Sequence, residues 1–466
     1  MILALYLAFL GFACAYALVD WRRAWLLVIV CGVIQDPVRK LTDGAPVYIS
    51  FLVVLLFAAI VFGARNELLR NINEFATRFP NVYRASLAFI FLLVVAALNG
   101  LMTYGFDKWK VPLVSLFTYA VPVVAAMVGY AWLQREEALH RFLAIYATIT
   151  SIALIGTLLE YLRVHSRILG LVAYEGDYIR HLPGIQIRLL SGIYRSPDVM
   201  AWHAGTLTAI ALAVALHSGI GKRMVIWSAV AGWGFFNCMI AGRRKAIYFV
   251  AVFALVFLWR YMKRLQHVHV YAMMGLFLVL FGVFRHFSQD EEKSVYARGA
   301  GTSREEITRR LEGGAIETFR QFGIMGAGLG TATQGVHHLL GGQQNIGWQE
   351  GALGKLAMEV GLPGMIGMAV ILFILARLLL RLTSIDDVPG SSLYVRVLLF
   401  ALMAANAGNF GASAQAYTDA VLGLTTGFLF GCLFATAALD ERLAAAQKHG
   451  ATGSQPVDRL ATVPAG

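Results

Sequence analysis

The sequence predicts an all-α fold, a polytopic transmembrane helix bundle of about 12–13 spans with a large outer (periplasmic) helical loop. Composition supplies two of the observations: 58% of the 466 residues are hydrophobic and only 14% are charged. Soluble domains carry about 25% charged residues. The third observation is that the apolar residues fall into stretches of roughly the 20 residues that a helix needs to cross a bilayer.

These stretches define the predicted spans in chain order. They cover residues 2–19, 24–35, 45–63, 83–102, 111–133, 139–160, 197–217, 224–241, 245–259, 269–287, 363–382, 393–409 and 416–437. The second stretch is short, so the count is 13 with it and 12 without it. No basic residue precedes the first stretch, so we expect a retained helix and not a cleaved signal peptide.

The spans divide the chain into four parts. Residues 1–287 hold the first ten spans and an outer loop near 161–196, and residues 288–362 form the large periplasmic loop. Residues 363–440 hold the C-terminal spans, and 441–466 form a disordered cytoplasmic tail. All four cysteines fall within apolar stretches, which predicts neither disulfides nor a zinc site.

The orientation follows from the Lys and Arg residues of alternate connections, because cytoplasmic loops carry more of them. One set of connections, with the C-terminal tail, holds 19. The short loops of the other set hold seven, namely Arg39, Lys40, Lys108, Lys110, Arg243, Arg244 and Lys245. The N-terminus and both long loops are therefore predicted outside. The net charge of +12 then serves orientation and lipid contact, and nucleic acid is not expected as a partner.

Charged groups are almost absent from the middle of the spans and occur instead at their predicted outer ends. Ser196 and Asp198 are typical of a helix start, as an N-cap and an acid in the first turn. His203 fits a hydrogen-bonded interior histidine better than a catalyst, and Asp419 begins the last span. A proton- or sodium-coupled carrier would need carboxylates near the membrane midplane, so this pattern favours chemistry at the outer face.

Arg243, Arg244 and Lys245 form a cationic triplet in a very short outer turn. Three adjacent cations repel one another and oppose the charge bias of outer loops. A bound phosphate or diphosphate would relieve both problems, and lipid headgroups or local pairing would be the alternative.

The large loop contains further polar groups. Ser303 and Glu306 have the spacing of a capping box. Arg309 and Arg320 share one face of the helix that follows, and Arg320 has no acidic residue four positions away. The segment 326–331, GAGLGT, resembles a phosphate loop but lacks a preceding strand, so we interpret it as a close approach of backbone.

Two histidines and a glutamate follow this glycine-rich segment. His337 and His338 are either bases or surface histidines. Glu350 lies near the start of a short helix, 348–358, that we expect at the outer surface, before the span that Pro363 begins. Glu350 is either a base or an acid placed favourably in a first helical turn.

Three stretches give the chain a resemblance to the O-antigen ligase and polymerase family of bacterial membrane proteins. Residues 241–246, AGRRKA, look like the family's Gly-Ser-Arg-Gly turn, with Arg244 at the Arg position. Residues 319–331 are similar to its aromatic helix end followed by Gly-x-Gly-x-Gly. Residues 359–364, EVGLPG, look like its Glu-x-Gly-x-x-Gly. The ligases commonly carry a His-Asn pair nine residues before that Glu, where this chain has Glu350, which favours a polymerase.

The resemblance implies a glycosyltransferase of the bacterial inner membrane. A glycan would pass from a polyprenyl diphosphate, such as undecaprenyl diphosphate, to an acceptor sugar hydroxyl at the periplasmic face, in exopolysaccharide or O-antigen biosynthesis. Glu350, Arg244 and Arg195 are the expected catalytic residues. The expected substrate-binding residues are Arg243, Lys245, Arg309, Arg320, His337, His338 and Glu359. No metal or other cofactor is implied, because the donor is already activated.

The expected partners are the lipid-linked oligosaccharide, the glycan acceptor, the bilayer and other polysaccharide-export proteins. Two alternative functions remain open. One is an O-antigen ligase that transfers the glycan to lipid A-core. The other is a non-enzymatic flippase or exporter of lipid-linked glycans.

Overall fold

The computed structural model describes residues 1–171, 179–182, 185–218, 220–261, 278, 282, 314–333, 351–383 and 393–452. The α-helices are α1 Ile2–Val19, α2 Trp21–Leu41, α3 Val53–Arg78, α4 Pro80–Tyr104, α5 Lys110–Trp132, α6 Glu136–Ala153, α7 Ile155–Tyr161, α8 Pro197–His217, α9 Lys222–Ile240, α10 Arg244–Tyr261, α11 at 314–322, α12 Ala352–Leu382, α13 Leu393–Ala412 and α14 Ala420–Thr452. Short 3-10 helices cover Val47–Phe51, Phe106–Lys108 and Ala414–Thr418.

The predicted polytopic helical bundle is confirmed. Nine helical stretches of the described residues are long and apolar enough to cross a membrane, and each coincides with a predicted span. Helices α2, α9 and α10 occupy three further predicted spans and are long enough to cross a membrane, but they are less apolar than the nine. The predicted span 269–287 falls almost entirely outside the described residues.

Helix α8 lies at the centre of the bundle. Every residue from Val199 to Leu216 is buried, and the helix packs against α6, α9, α10 and α13. Its start agrees with the sequence prediction, because the Ser196 hydroxyl accepts a hydrogen bond from the Val199 N–H at 3.4 Å. The predicted interior role of His203 is also confirmed, since it is buried and hydrogen-bonds the Tyr146 hydroxyl at 2.9 Å.

Helices α5 and α14 pack more extensively against each other than any other pair of the described helices. Small residues every four positions let backbones approach in membrane helices, and α14 carries Gly423, Gly427 and Gly431 at this spacing. A Cβ built at Gly431 would lie 1.8 Å from the Ala126 carbonyl oxygen of α5. Only hydrogen fits at this position, so the glycine spacing fixes the contact between the two helices.

One departure from the all-helical prediction occurs in the outer loop near 161–196. Strands β1 (Ile179–Leu182) and β2 (Ile185–Arg188) form an antiparallel hairpin in which Ile179 is paired with Arg188. Hydrogen bonds of Glu160 and Lys40 attach this loop to the bundle. The Glu160 carboxylate accepts the N–H groups of Ser191 and Gly192, while Lys40 donates to the Gly192 carbonyl at 2.8 Å.

Contacts near the helix ends show which loops lie at the same end of the bundle, and the grouping agrees with the predicted topology. At one end, which we call the predicted outer end, residues of the 161–196 loop contact the end of α2 and the start of α14. At the opposite end, Arg22 pairs with Glu67 and Arg396 pairs with Asp440 at 3.0 Å. Helix α10 ends there and α12 begins at the predicted outer end, as the topology requires. Which end faces the cytoplasm stays a prediction.

Helix α12 is broken near its start. Gly361 has φ of 62° and ψ of −169°, values outside the helical region, and Pro363 follows it. The sequence analysis expected the segment before the break to be a short helix at the outer surface. The helix is present from Ala352, and most residues from Ala352 to Val360 are buried against other parts of the chain. Small and apolar side chains on most of its faces explain the burial. Its place at the outer surface stays a prediction.

Candidate functional site

Two sets of ion pairs lie beside the start of α8 at the predicted outer end, and we call them together the ion-pair cluster. In the first set, Arg195 contacts Asp36 and Asp419. In the second set, Arg243 and Lys245 contact Asp198, which follows Arg195 by three residues in the chain, and Arg244 lies between these two cations in the sequence. The structure therefore places three of the predicted site residues, Arg195, Arg243 and Lys245, in ion pairs at this end.

Arg195 is at the centre of this cluster, just before α8. Its backbone N–H donates to Asp36 Oδ2 at 2.9 Å, and its Nη2 lies 2.7 Å from Asp419 Oδ2. Its Nε and Nη1 donate to no residue in the described part of the chain. The guanidinium is thus anchored through one nitrogen and retains donors for an anion.

Asp419 has two roles in the cluster. Its Oδ1 accepts the N–H groups of Val421 and Leu422 at 2.8 and 3.0 Å, which caps the start of α14. Its Oδ2 pairs with Arg195. The carboxylate is only 2% exposed, so the arginine supplies the charge that its burial requires.

The cationic triplet is partly neutralised from within the protein. Arg243 Nε lies 3.1 Å from Asp198 Oδ1, without the direction of a hydrogen bond, and Lys245 forms an ion pair with the same carboxylate. Lys245 also donates to the Ser413 hydroxyl at 2.7 Å. Of the alternatives that the sequence left open, local pairing is therefore present for two of the three cations, and a bound phosphate or diphosphate at the triplet stays a prediction. Arg244 begins α10 between them and is half-buried.

An apolar cavity of about 530 Å³ adjoins this cluster. Its walls are the first 3-10 helix with the start of α3, the first half of α5, and the start of α14. Phe51, Leu55 and Phe117 are among the apolar residues that dominate its lining, and Asp419 is its only charged lining residue in the described part of the chain. An apolar space and a buried ion pair thus meet at Asp419.

Glu359 lies in a second buried polar group, on the other side of α5. The residue is completely buried. Its carboxylate accepts the hydroxyls of Thr333 at 2.7 Å and Tyr119 at 2.8 Å, and Lys355 Nζ lies 3.5 Å away. Protein groups thus surround both carboxylate oxygens, and the predicted contact of Glu359 with substrate stays a prediction.

The backbone of the glycine-rich segment 326–331 closely approaches another part of the chain, as the sequence analysis interpreted it. Gly326, Gly328 and Gly330 all have positive φ, between +70° and +97°. A Cβ at Gly328 would lie 2.2 Å from the backbone nitrogen of Gly100 in α4. The Leu329 N–H donates to the Ala96 carbonyl at 3.0 Å. These contacts attach the segment to α4, while Thr333 attaches it to Glu359 in α12.

The remaining predicted site residues are not part of either group. Arg320 lies on α11 with its side chain 76% exposed and is 3.8 Å from Glu317, an acid three residues away that the sequence analysis did not consider. Arg309, His337, His338 and Glu350 lie outside the described residues. Their predicted roles stay predictions.

Sequence reasoning missed the part played by Asp36 and the apolar cavity. Asp36 had a visible signal, because it is an acid at the end of an apolar stretch and such residues need a partner. The cavity had none, since its walls come from three separate segments of the chain.

Comparison with models of known protein families finds no match to this chain, and comparison with curated proteins finds none either.

Proposed function

We propose that the chain is an inner-membrane polysaccharide polymerase. It transfers a glycan from a polyprenyl diphosphate to an acceptor sugar hydroxyl at the periplasmic face. The observation that carries this proposal is the meeting of the apolar cavity and the ion-pair cluster at Asp419. A lipid-linked donor has both an apolar chain and an anionic head, and these two neighbouring environments match them in kind.

In the proposed reaction, the acceptor oxygen forms a bond to the anomeric carbon of the donor sugar. The bond from that carbon to the diphosphate oxygen breaks, and the polyprenyl diphosphate leaves with the electron pair. A base takes the proton of the acceptor hydroxyl. Charge increases on the departing diphosphate, so cations placed beside it stabilise the transition state.

The cations of this proposal are those of the ion-pair cluster. Arg195 has guanidinium N–H groups that meet no acceptor among the described residues and that we assign to the diphosphate. Arg244 lies in the sequence between two cations that pair with Asp198. Arg243 and Lys245 then bind the diphosphate from the same turn. Arg309 and Arg320 are assigned to the glycan or the second phosphate from the large loop.

Glu350 is the proposed base, with His337 and His338 as its alternatives. Glu350 comes two residues before the start of α12 at Ala352. Contacts of two α12 residues hold its first turns in place. Lys355 donates to the Thr333 hydroxyl, and Glu359 accepts the hydroxyls of Thr333 and Tyr119. We therefore assign Glu359 a role in holding the entry to α12, in addition to the predicted substrate contact.

Deletion of the gene followed by analysis of lipid-linked intermediates tests the proposal. Loss of a polymerase should lead to single repeat units on the lipid carrier at the periplasmic face. Long polymers that remain attached to the carrier would instead indicate the ligase. Single units trapped at the cytoplasmic face would indicate the flippase.

The orientation needs a separate test, because the proposed chemistry requires the ion-pair cluster to be periplasmic. Reporter fusions at Gly221 should be cytoplasmic and fusions at Gly342 should be exported. The opposite result would exclude the proposed reaction at this end of the bundle.

A further inference from the structure

Two grooves lie beside the C-terminal end of α12, at the end of the bundle opposite to the ion-pair cluster. The first, of about 400 Å³, separates α12 from the corner between α3 and α4, and Arg78, Arg377 and Arg381 line it. The second, of about 620 Å³, separates α12 from the end of α10 and is lined by Arg260 and again by Arg377 and Arg381. The end of α12 therefore contributes the same two arginines to both grooves.

The charge in these grooves is one-sided. No acidic residue lines either groove in the described part of the chain. Arg78 is 3.7 Å from Glu74, and Arg260 donates to the Thr383 hydroxyl at 3.1 Å. Arg377 makes no hydrogen bond or ion pair with any residue that the structure describes. Arg377 therefore has no carboxylate to neutralise it among the described residues that line the grooves.

The remainder of the lining is apolar. Phe373 is 67% exposed and is shared by both grooves, and Ile374 and Leu378 lie beside it in the first. In the candidate span that ends at Leu382, only 11% of the apolar 18-residue stretch is buried within the protein. Arginines at the rim and exposed apolar side chains one to two turns deeper match a phospholipid, which has an anionic head and apolar chains.

We propose that the two grooves beside the end of α12 form a binding site for an anionic phospholipid. Arg377 and Arg381 hold its phosphate, and Arg78 and Arg260 add positive charge from the two sides. The acyl chains lie along Phe373 and the apolar face of α12. This site is separate from the proposed catalytic cluster and does not depend on the proposed function.

The test uses the full-length chain, purified in detergent and delipidated. Native mass spectrometry follows its titration with dioleoyl phosphatidylglycerol and, separately, with dioleoyl phosphatidylcholine. The parent should retain phosphatidylglycerol and show no comparable retention of phosphatidylcholine. Equal retention of the two lipids would overturn the proposal, because it would show contact with chains alone.

Variants then assign the binding to the grooves. One arginine near an anionic headgroup contributes about fivefold in affinity, so Arg377→Gln with Arg381→Gln should weaken phosphatidylglycerol binding about 25-fold. The matched control, Arg65→Gln with Arg70→Gln, removes two exposed arginines of α3 that line neither groove. It should bind like the parent. Equal losses in both double variants would show a general effect of charge and would refute the site.

Two further measurements keep the result interpretable. Arg377→Lys with Arg381→Lys retains both charges and should keep most of the binding, which separates loss of charge from misfolding. Inorganic phosphate is added as a competitor to distinguish a lipid site from a simple anion site. Displacement of phosphatidylglycerol by equimolar phosphate would overturn the assignment to a lipid.

Discussion

Arg195 gives the sharpest test of the proposed site, because the proposal gives it two separable roles. It neutralises the buried Asp419 carboxylate at 2.7 Å, and in the proposed reaction its other N–H groups bind the diphosphate. Removing one partner of a buried ion pair costs about 3–5 kcal/mol, since the other charge is left buried. Replacing both partners with neutral groups is often nearly neutral in stability.

We therefore compare Arg195→Gln with the double variant Arg195→Gln and Asp419→Asn. Asparagine still accepts hydrogen bonds at a helix start, so the cap on Val421 and Leu422 is preserved. The single variant should lose about 3–5 kcal/mol of stability, and the double variant should recover most of it. Polymer formation should fall about 10²- to 10³-fold in both, because a lost donor to transition-state charge costs that much.

The assay measures polymer formed from lipid-linked repeat units by purified protein, with thermal unfolding recorded for each variant. Asp419→Asn alone is the control: it also breaks the buried pair and should lose stability, but it keeps the Arg195 donors and should retain more polymer formation than Arg195→Gln. If the double variant makes polymer at the parental rate, Arg195 serves only to neutralise Asp419, and its assignment to the diphosphate is refuted.

Three further predictions concern other parts of the chain. Arg244→Ala should abolish polymer while the protein still accumulates in the membrane, and Arg244→Lys should recover little, because an ammonium cannot form a bidentate contact with phosphate. Gly431→Ala should lower the free energy of unfolding by about 1–3 kcal/mol, because the added methyl group overpacks against Ala126. Thermal unfolding measures this change. The control Gly11→Ala, where the new Cβ meets open space, should be neutral or stabilising. Glu350→Gln should reduce polymer formation about 10²- to 10⁴-fold as expected for a lost base, Glu350→Asp should be partly active, and normal polymer from the Gln variant would exclude Glu350 as the base.

The helices could be predicted from the sequence because their signal is local. A stretch such as 197–217 has the length and hydropathy of a span in itself, and Ser196 marks its start. The break in α12 was also visible, as Gly361 and Pro363 lie two residues apart. The β1–β2 hairpin was not predicted, because strands of four residues give too short a pattern to stand out in a loop.

The contacts of the site could be predicted only in part, because they depend on distant segments. The sequence predicted that Arg243, Arg244 and Lys245 lie together at one end of the bundle, but it could not show that Asp198, 45 residues before Arg243, neutralises two of them. The close contact of α5 and α14 likewise joins residues about 300 positions apart. Glycine spacing in α14 indicates a packed face, but it does not identify the helix that packs there.

The polar residues around Glu359 and those around Arg195 differ in how completely their hydrogen-bonding groups are satisfied. This difference suggests a structural role for Glu359 and a binding role for Arg195. Around Glu359, the hydroxyls of Thr333 and Tyr119 and the ammonium of Lys355 occupy the carboxylate, so the charge is satisfied within the protein. Around Arg195, one carboxylate meets a guanidinium that has further donors without partners among the described residues, beside an apolar cavity. A polar group that is fully satisfied fixes structure, whereas one with remaining donors at the edge of a cavity can bind an anion. For this reason the proposal assigns the diphosphate to Arg195 first, and the glycine-rich segment and Glu359 to holding the helices around it.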